Sequence, residues 1–289
     1  MLATVLAVAV TLAAGGGLTT GDVELVAKDF EFTEGPVWMP DGTLLFSDIP
    51  ADTIYRMDKT VFRKPSGQSN GLALDAEGRL LACEHETRRV TRTEKDGAIT
   101  VLAERFEGKR LNSPNDLIAR SDGTIFFTDP PYGLGWGGLE NPDAELDFSG
   151  VYSLSPEGKL AVLVRDFKKP NGIALSPDEK TLYVADTEGS HLRAFAVAED
   201  GSLDTGRVLC EIPGPDGMAM DAQGNVWATG RMAVFVFNPA GEEIGRIEIP
   251  QSPANCTFGG PDGKTLYVTA RTGLFKVQTS IAGLRPSSK

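Results

Sequence analysis

KPNGIALSPDEKTLYVAD, residues 169–186, sets an Asn-Gly pair at the head of an apolar run, interrupts the run with Ser-Pro-Asp-Glu, and resumes it before closing on Asp186. Two short apolar runs rich in β-formers and joined by a Pro-Asp turn read as strand, tight turn, strand. The pattern recurs five more times: EGPVWMPDGTLLFSD (34–48), NGLALDAEGRLLACE (70–84), NDLIARSDGTIFFTD (115–129), DGMAMDAQGNVWATG (216–230) and NCTFGGPDGKTLYVTA (255–270). Successive repeats begin 36, 45, 56, 45 and 39 residues apart. That spacing is close to the ~40–50 residues of a propeller blade.

Most repeats are followed by a second hairpin, such as RRVTRTEKDGAITVLAE (88–104), GVYSLSPEGKLAVLVRD (150–166) or MAVFVFNPAGEEIGRIEIP (232–250), so the unit is four strands. The sixth repeat has TGLFKVQ (272–278) as a third strand and no clear fourth. VELVAKDF (23–30) resembles the outer strands ITVLAERF (99–106) and AVLVRDF (161–167), and is expected to supply the missing strand. The expected fold is all-β: a six-bladed β-propeller with four-stranded blades, in which an N-terminal strand closes the last blade and leaves no open edge. A single domain over 22–280 and a tail at 281–289 follow.

Topology then decides which residues share a face. If the Pro-Asp-Gly turns lie on one face, the starts of the six inner strands surround the other end of the central channel. Those positions are Glu34, Asn70, Asn115, Asn171, Asp216 and Asn255. Taken singly, an Asn or Asp before Gly reads as a turn residue, and Gly172 is expected to serve a turn. Taken together, all six bear side-chain oxygens, and Glu34 is not a turn-forming type. The set makes a ring of oxygen donors carrying two formal negative charges. Hard oxygen ligands without His or Cys favour one divalent cation, calcium before magnesium or manganese, with zinc least favoured.

Composition fits this reading. The 289 residues include 33 Gly and 18 Pro, which punctuate short apolar runs and favour strands and turns over long helices. A net charge of -12 argues against nucleic acid or an anionic membrane surface as partner, since both need a basic footprint. Residues 1–15, MLATVLAVAVTLAAG, have the length of a secretory apolar segment and fall short of the ~20 residues that span a bilayer. A cleaved signal peptide over 1–16 and a periplasmic or secreted location are expected, although no basic residue precedes Lys28; without cleavage the protein would be cytoplasmic. Cys83, Cys210 and Cys256 have neither zinc-site spacing nor the count of a disulfide framework, and read as structural thiols.

The segments EGPVW, SPNDL, KPNGIALSPDEKTLYVAD and GPDGMAMDAQGNVW resemble the senescence marker protein, gluconolactonase and luciferin-regenerating enzyme family, most of all its bacterial gluconolactonases. The resemblance covers about residues 22–280. It implies a divalent metal held by Glu34, Asn171 and Asp216, with Asn115 binding directly or through water. It also implies hydrolysis of sugar-acid lactones: the metal polarises the lactone carbonyl, and water attacks with the help of a carboxylate, Asp216 being the catalytic candidate. Asn70 and Asn255 are left as substrate contacts, supports for the ligands, or turn residues.

Loops after the second strands fall on the same face. They bring His85, an exposed loop histidine or a substrate contact, and the long connection 128–150 with Tyr132 and Trp136, which either stack on a sugar ring or pack the loop. Asp48, Asp129 and Asp186 read as turn or inter-blade hydrogen-bonding residues. A sugar lactone is the expected partner. An organophosphate or arylester hydrolase would use the same ring with a more apolar pocket, and a non-catalytic ligand-binding propeller would use the fold alone.

Overall fold

The computed structural model describes residues 17–284. The apolar segment at 1–16 and the end of the tail at 285–289 lie outside the described residues. Six four-stranded antiparallel sheets follow one another around an axis. Blade 1 runs Thr33–Trp38, Leu44–Asp48, Thr53–Arg56 and Val61–Arg63 from the axis outward. Blades 2 to 5 repeat the scheme, their innermost strands being Ser69–Leu74, Leu117–Ala119, Pro170–Leu175 and Met218–Met220. Blade 6 combines Pro253–Gly259, Thr265–Ala270 and Gly273–Gln278 with the N-terminal strand Glu24–Lys28. That strand pairs antiparallel with the third, Glu24 opposite Lys276 and Lys28 opposite Gly273. The closure expected of residues 23–30 is thus formed, one residue short at the start and two at the end.

The apolar pattern explains why blades stack. Each sheet is covered on both faces by its neighbours, so the second strands are buried at every residue, as in Leu44–Asp48, Leu80–Glu84 and Ile125–Asp129, or at all but the first, as in Thr181–Asp186 and Thr265–Ala270. Continuous apolar runs result, where a one-sided sheet would alternate. Six hydrophobic clusters sit between adjacent blades, for example Phe126, Val151 and Phe167 of blade 3 against Ile173, Leu182 and Val184 of blade 4. The axis itself is left as a channel.

The turns between first and second strands need one left-handed residue each. Gly42, Gly78, Gly123, Gly224 and Gly263 supply it, and in blade 4 Glu179 does so at φ 58°. Among the described residues there is no α-helix; the connection from Asp129 to Ser149 carries two single-turn 3-10 segments, Tyr132–Leu134 and Gly138–Glu140. No helix in the described residues is long and apolar enough to cross a membrane.

Candidate active site

The six ring positions lie within two residues of the starts of the six innermost strands, and the structure brings them together around the loop-side end of the channel. Adjacent inner strands are closest here and are tied directly. Gly71 N donates to Asn115 O at 2.7 Å, Gly172 N to Asp216 O at 3.0 Å and Gly217 N to Ala254 O at 2.7 Å. Hydroxyls from the second strands add Ser47 Oγ to Asn70 O at 2.8 Å and Thr128 Oγ1 to Asn171 O at 2.7 Å.

This geometry corrects the reading of Asn171-Gly172 as a turn. Both residues lie inside the strand Pro170–Leu175, and Gly172 does not have positive φ. Glycine is required because a Cβ there would stand 2.3 Å from Asp216 O. The same close approach holds at Gly35, whose Cβ would meet Asn70 O at 2.0 Å, and at Gly71, 2.6 Å from Asn115 O.

The ring side chains differ in how they are committed. Glu34, Asn70, Asn115, Asn171 and Asn255 are buried, and Asp216 keeps partial exposure. Asn171 Nδ2 donates to Thr187 Oγ1 at 3.0 Å, and the same amide group faces Asp216 and the Tyr132 hydroxyl, while its Oδ1 accepts no hydrogen bond among the described residues. Asn70 Nδ2 lies 3.3 Å from His85 Nε2 and likewise leaves Oδ1 free. Asn115 makes no side-chain hydrogen bond among the described residues. Asn255 is turned the other way: its Oδ1 accepts from Cys256 N at 2.8 Å, and its amide group faces Glu34 and Asp116. Asn255 therefore braces carboxylates and offers no free oxygen.

Asp116 is the site residue that the sequence reading missed. It is buried beside the ring, accepts from Leu117 N at 2.9 Å, and its carboxylate fills the space that a Gly71 side chain would need. A signal was present. The residue after each ring member is Gly, Gly, Asp, Gly, Gly and Cys in chain order, so the third repeat stands out as acidic.

Three carboxylates thus share a desolvated space. Burial pushes Glu34 up to about 7, against hydrogen bonds from Gly35 and Asn255 that pull it down. Burial, then the charge of Glu34, pushes Asp116 up to about 8. Asp216 is raised well above the usual carboxylate range by burial, then by Glu34 and Asp116. Raised acid pKa values mean that the folded chain holds protons the unfolded chain releases. Unfolding therefore liberates protons between the ordinary and the raised pKa, and stability falls as pH rises across that window. In chelator, this contribution is lost as pH rises toward 8, while His85, lowered to about 4, acts in the opposite sense below its ordinary pKa of about 6.5; the melting temperature is therefore expected to fall most clearly between about pH 6.5 and pH 8, which thermal unfolding across pH measures. Glu34 alone, moved from 4.5 to about 7, corresponds to about 3 kcal/mol.

No three His, Cys, Asp or Glu side chains among the described residues converge closely enough to hold a metal by themselves. A cation here would draw on carboxamide oxygens as well. The donor set fits one: anionic oxygens whose protonation is forced by mutual repulsion and burial, beside free carboxamide oxygens of Asn70, Asn115 and Asn171. All are hard donors, suited to calcium, magnesium or manganese.

His85 is buried, not an exposed loop residue, and burial lowers it to about 4, so it is neutral near pH 7. Tyr132 lies against Asn171 and Thr187, with its hydroxyl buried and Lys169 Nζ 5.5 Å from its ring centroid. The phenol forms part of the site wall, and an ammonium group covers one face of its ring. Gly133 N donates to Ser113 Oγ at 2.8 Å, which seats the long loop on blade 3; Trp136 at its tip is 99% exposed. Asp48, Asp129 and Asp186 hold the segments entering the inner strands: each carboxylate accepts two successive backbone N–H groups, Glu31 and Phe32, Asn112 and Ser113, and Lys168 and Lys169.

On the turn side of the ring the channel widens into a cavity of about 490 Å³, with Asp116 and Asn255 at its inner end and walls that include Val37, Leu72, Ile173 and Met218.

Residues 32–272 match the family model described as the SMP-30/Gluconolactonase/LRE-like region. The chain is 35% identical to a gluconolactonase of Zymomonas mobilis, across 90% of this chain and 82% of that protein. It is 28% identical to the pentonolactonase XacC of Haloferax volcanii, across 83% and 81%. Among solved structures it resembles a gluconolactonase from Xanthomonas campestris with a TM-score of 0.84 and 38% identity, covering 93% of each chain. A calcium-binding protein, regucalcin, from Agrobacterium tumefaciens shares the fold with a TM-score of 0.75 at 23% identity, covering 92% of this chain and 96% of that one. With the family model spanning most of the sequence and a relative above 30% identity along nearly its whole length, the chain belongs to the SMP-30/gluconolactonase/LRE-like family.

Proposed function

We propose that this protein hydrolyses sugar-acid lactones of the aldonolactone type and depends on a divalent cation, calcium first, held by Glu34, Asn171 and Asp216 with Asn115 in direct or water-mediated contact. The observation that carries the reading is the ring itself: mutually repelling buried carboxylates set beside free carboxamide oxygens at the loop-side mouth. Relatives named gluconolactonase and pentonolactonase support the reaction.

When bound, the cation would polarise the lactone carbonyl and favour negative charge on its oxygen as water adds. The chain's residues do the rest. Asp216, the ring member with partial exposure, takes the proton of the attacking water and returns it to the ring oxygen as the acyl C–O bond breaks, leaving the open-chain hydroxy acid. Glu34 is held in place by Gly35 N at 2.8 Å and by Asn255. Asn70, oriented through neutral His85, presents its carboxamide oxygen to a substrate hydroxyl. Tyr132 and Thr187 close the wall behind Asn171.

The test is a pH-indicator assay of lactone opening on a panel of aldonolactones, with chelated and reloaded protein. Acceleration over buffer that disappears on chelation and returns with calcium is expected. The same cation should raise the melting temperature more at pH 8 than at pH 5, because it then replaces protons the carboxylates have lost. A loaded protein that does no better than buffer across the panel would remove the lactonase reading. Faster turnover of an aryl ester or a phosphotriester would replace it.

A further inference from the structure

We propose that Thr187 is a positioning residue: it determines which atom of the Asn171 carboxamide faces the channel, and so makes Asn171 an oxygen donor. The inference rests on the reading above that Asn171 Oδ1 contacts a divalent cation.

The argument is a count of protons. A threonine hydroxyl has one proton to donate. Thr187 Oγ1 donates it to Pro215 O at 2.7 Å. The hydroxyl can then only accept from its other neighbours, and the group that approaches at 3.0 Å is the Asn171 side chain. Only the NH₂ end of a carboxamide can donate. A flipped amide would set oxygen against an oxygen with no proton left to share, so the NH₂ end is held at Thr187, with Asp216 as its second neighbour, and Oδ1 is fixed at the other corner of the carboxamide, free to take a cation. Thr187 is itself fixed, since its N–H donates to Lys169 O at 3.1 Å. The buried Tyr132 hydroxyl lies against both members of the pair and closes the space beside Oγ1. The same bridge reaches the next blade: Pro215 directly precedes Asp216, so one hydroxyl ties the Asn171 side chain to the segment that carries Asp216.

The test is calorimetric titration of chelator-treated protein with calcium, comparing wild type, Thr187→Val and Thr187→Ser, with melting temperature recorded for each. Thr187→Val keeps the shape and removes the hydroxyl; calcium affinity is expected to fall about 10-fold. Thr187→Ser keeps the hydroxyl and is expected to stay within about twofold of wild type, since removal of partners that orient a ligand is what costs affinity. Should Thr187→Val not fold, Thr187→Ala removes the hydroxyl without a second methyl and is expected to show the same loss. Wild-type affinity in the Val or Ala variant overturns the proposal, as does a Ser variant that binds as weakly as Val. A wild type that binds no divalent cation overturns the metal reading itself, and that outcome is visible before any variant is compared.

Discussion

Asp216→Asn is expected to lower kcat/KM for an aldonolactone about a thousandfold, the upper range for loss of a positioned base that also serves as a charged ligand. The chelated variant should nevertheless be at least as stable as the wild type. The substitution keeps the shape of the side chain and leaves untouched the backbone carbonyl of Asp216 that accepts from Gly172 N at 3.0 Å. What it removes is the carboxylate that Glu34 and Asp116 push furthest out of the usual range. With one charge fewer, the fall in melting temperature between pH 5 and pH 8 should become shallower, because the Asp216 carboxyl, raised well above the usual carboxylate range, no longer titrates. Activity and stability therefore move in opposite directions, which separates a functional carboxylate from one that holds the fold together. Assay of lactone opening beside thermal unfolding in chelator reads both. If the variant keeps more than a tenth of wild-type kcat/KM, the assignment of proton transfer and charge to Asp216 fails.

The contrast with Glu84 shows why buried acids in this chain must be judged by their partners. Glu84 is also fully buried, yet its pKa is lowered: Thr87 and Thr91 hydroxyls donate to it, and Arg63 and Arg89 pair with it. Each of its oxygens has a positive or hydrogen-bonding partner, and the group is satisfied within the protein. Among the described residues, Glu34, Asp116 and Asp216 have no basic residue in a salt bridge with them; they face carboxamides and one another, with Arg271 a weaker and more distant charge on Asp216. Desolvation outweighs the hydrogen bonds they accept, which is the condition under which a bound cation contributes most.

How much of this was legible in the sequence depends on whether the signal was local. The blades were, because each turn announces itself within a few residues: the left-handed glycines of the Pro-Asp-Gly turns, and the side-chain bonds from Asp41 to Thr43 N or Asp262 to Lys264 N, are short-range features. The closing strand was legible because its apolar pattern repeats that of the other outer strands. The ring emerged only when six repeats were aligned, since each member alone has an ordinary turn explanation. Asp116 was hidden because it occupies a position where the other repeats carry Gly or Cys, and comparison was made one residue earlier. The burial of His85 was hidden for a different reason. It depends on residues such as Gly133, whose absent side chain lets the long loop settle onto the histidine, and a hypothetical Cβ there would lie 2.9 Å from His85 Cβ.

Gly172→Ala tests the most consequential of these nonlocal constraints. A turn role would make alanine a mild change at this position, whereas the structure makes it severe. The added Cβ would stand 2.3 Å from Asp216 O and 2.8 Å from Gly217 Cα. Both are backbone atoms of the neighbouring inner strand and cannot rotate away. The strands must separate, which stretches the Gly172–Asp216 hydrogen bond and shifts Asn171 and Asp216 apart at the ring. Overpacking of this kind costs about 3 kcal/mol, a fall in melting temperature on the order of 5–10 °C for a chain of this size. Activity should fall further than stability, by about a hundredfold, since a displacement near 1 Å at a positioned site has that scale of effect. Gly97→Ala is the control. Gly97 has φ +85° and nothing within 4 Å of its hypothetical Cβ, so alanine there meets only local backbone strain of about 1 kcal/mol and should leave lactone opening unchanged. Equal effects of the two substitutions would return Gly172 to the turn role; a large loss at Gly172 alone would show that the Asn-Gly pair is read across blades, with glycine admitting the neighbouring strand and asparagine using the proximity that results.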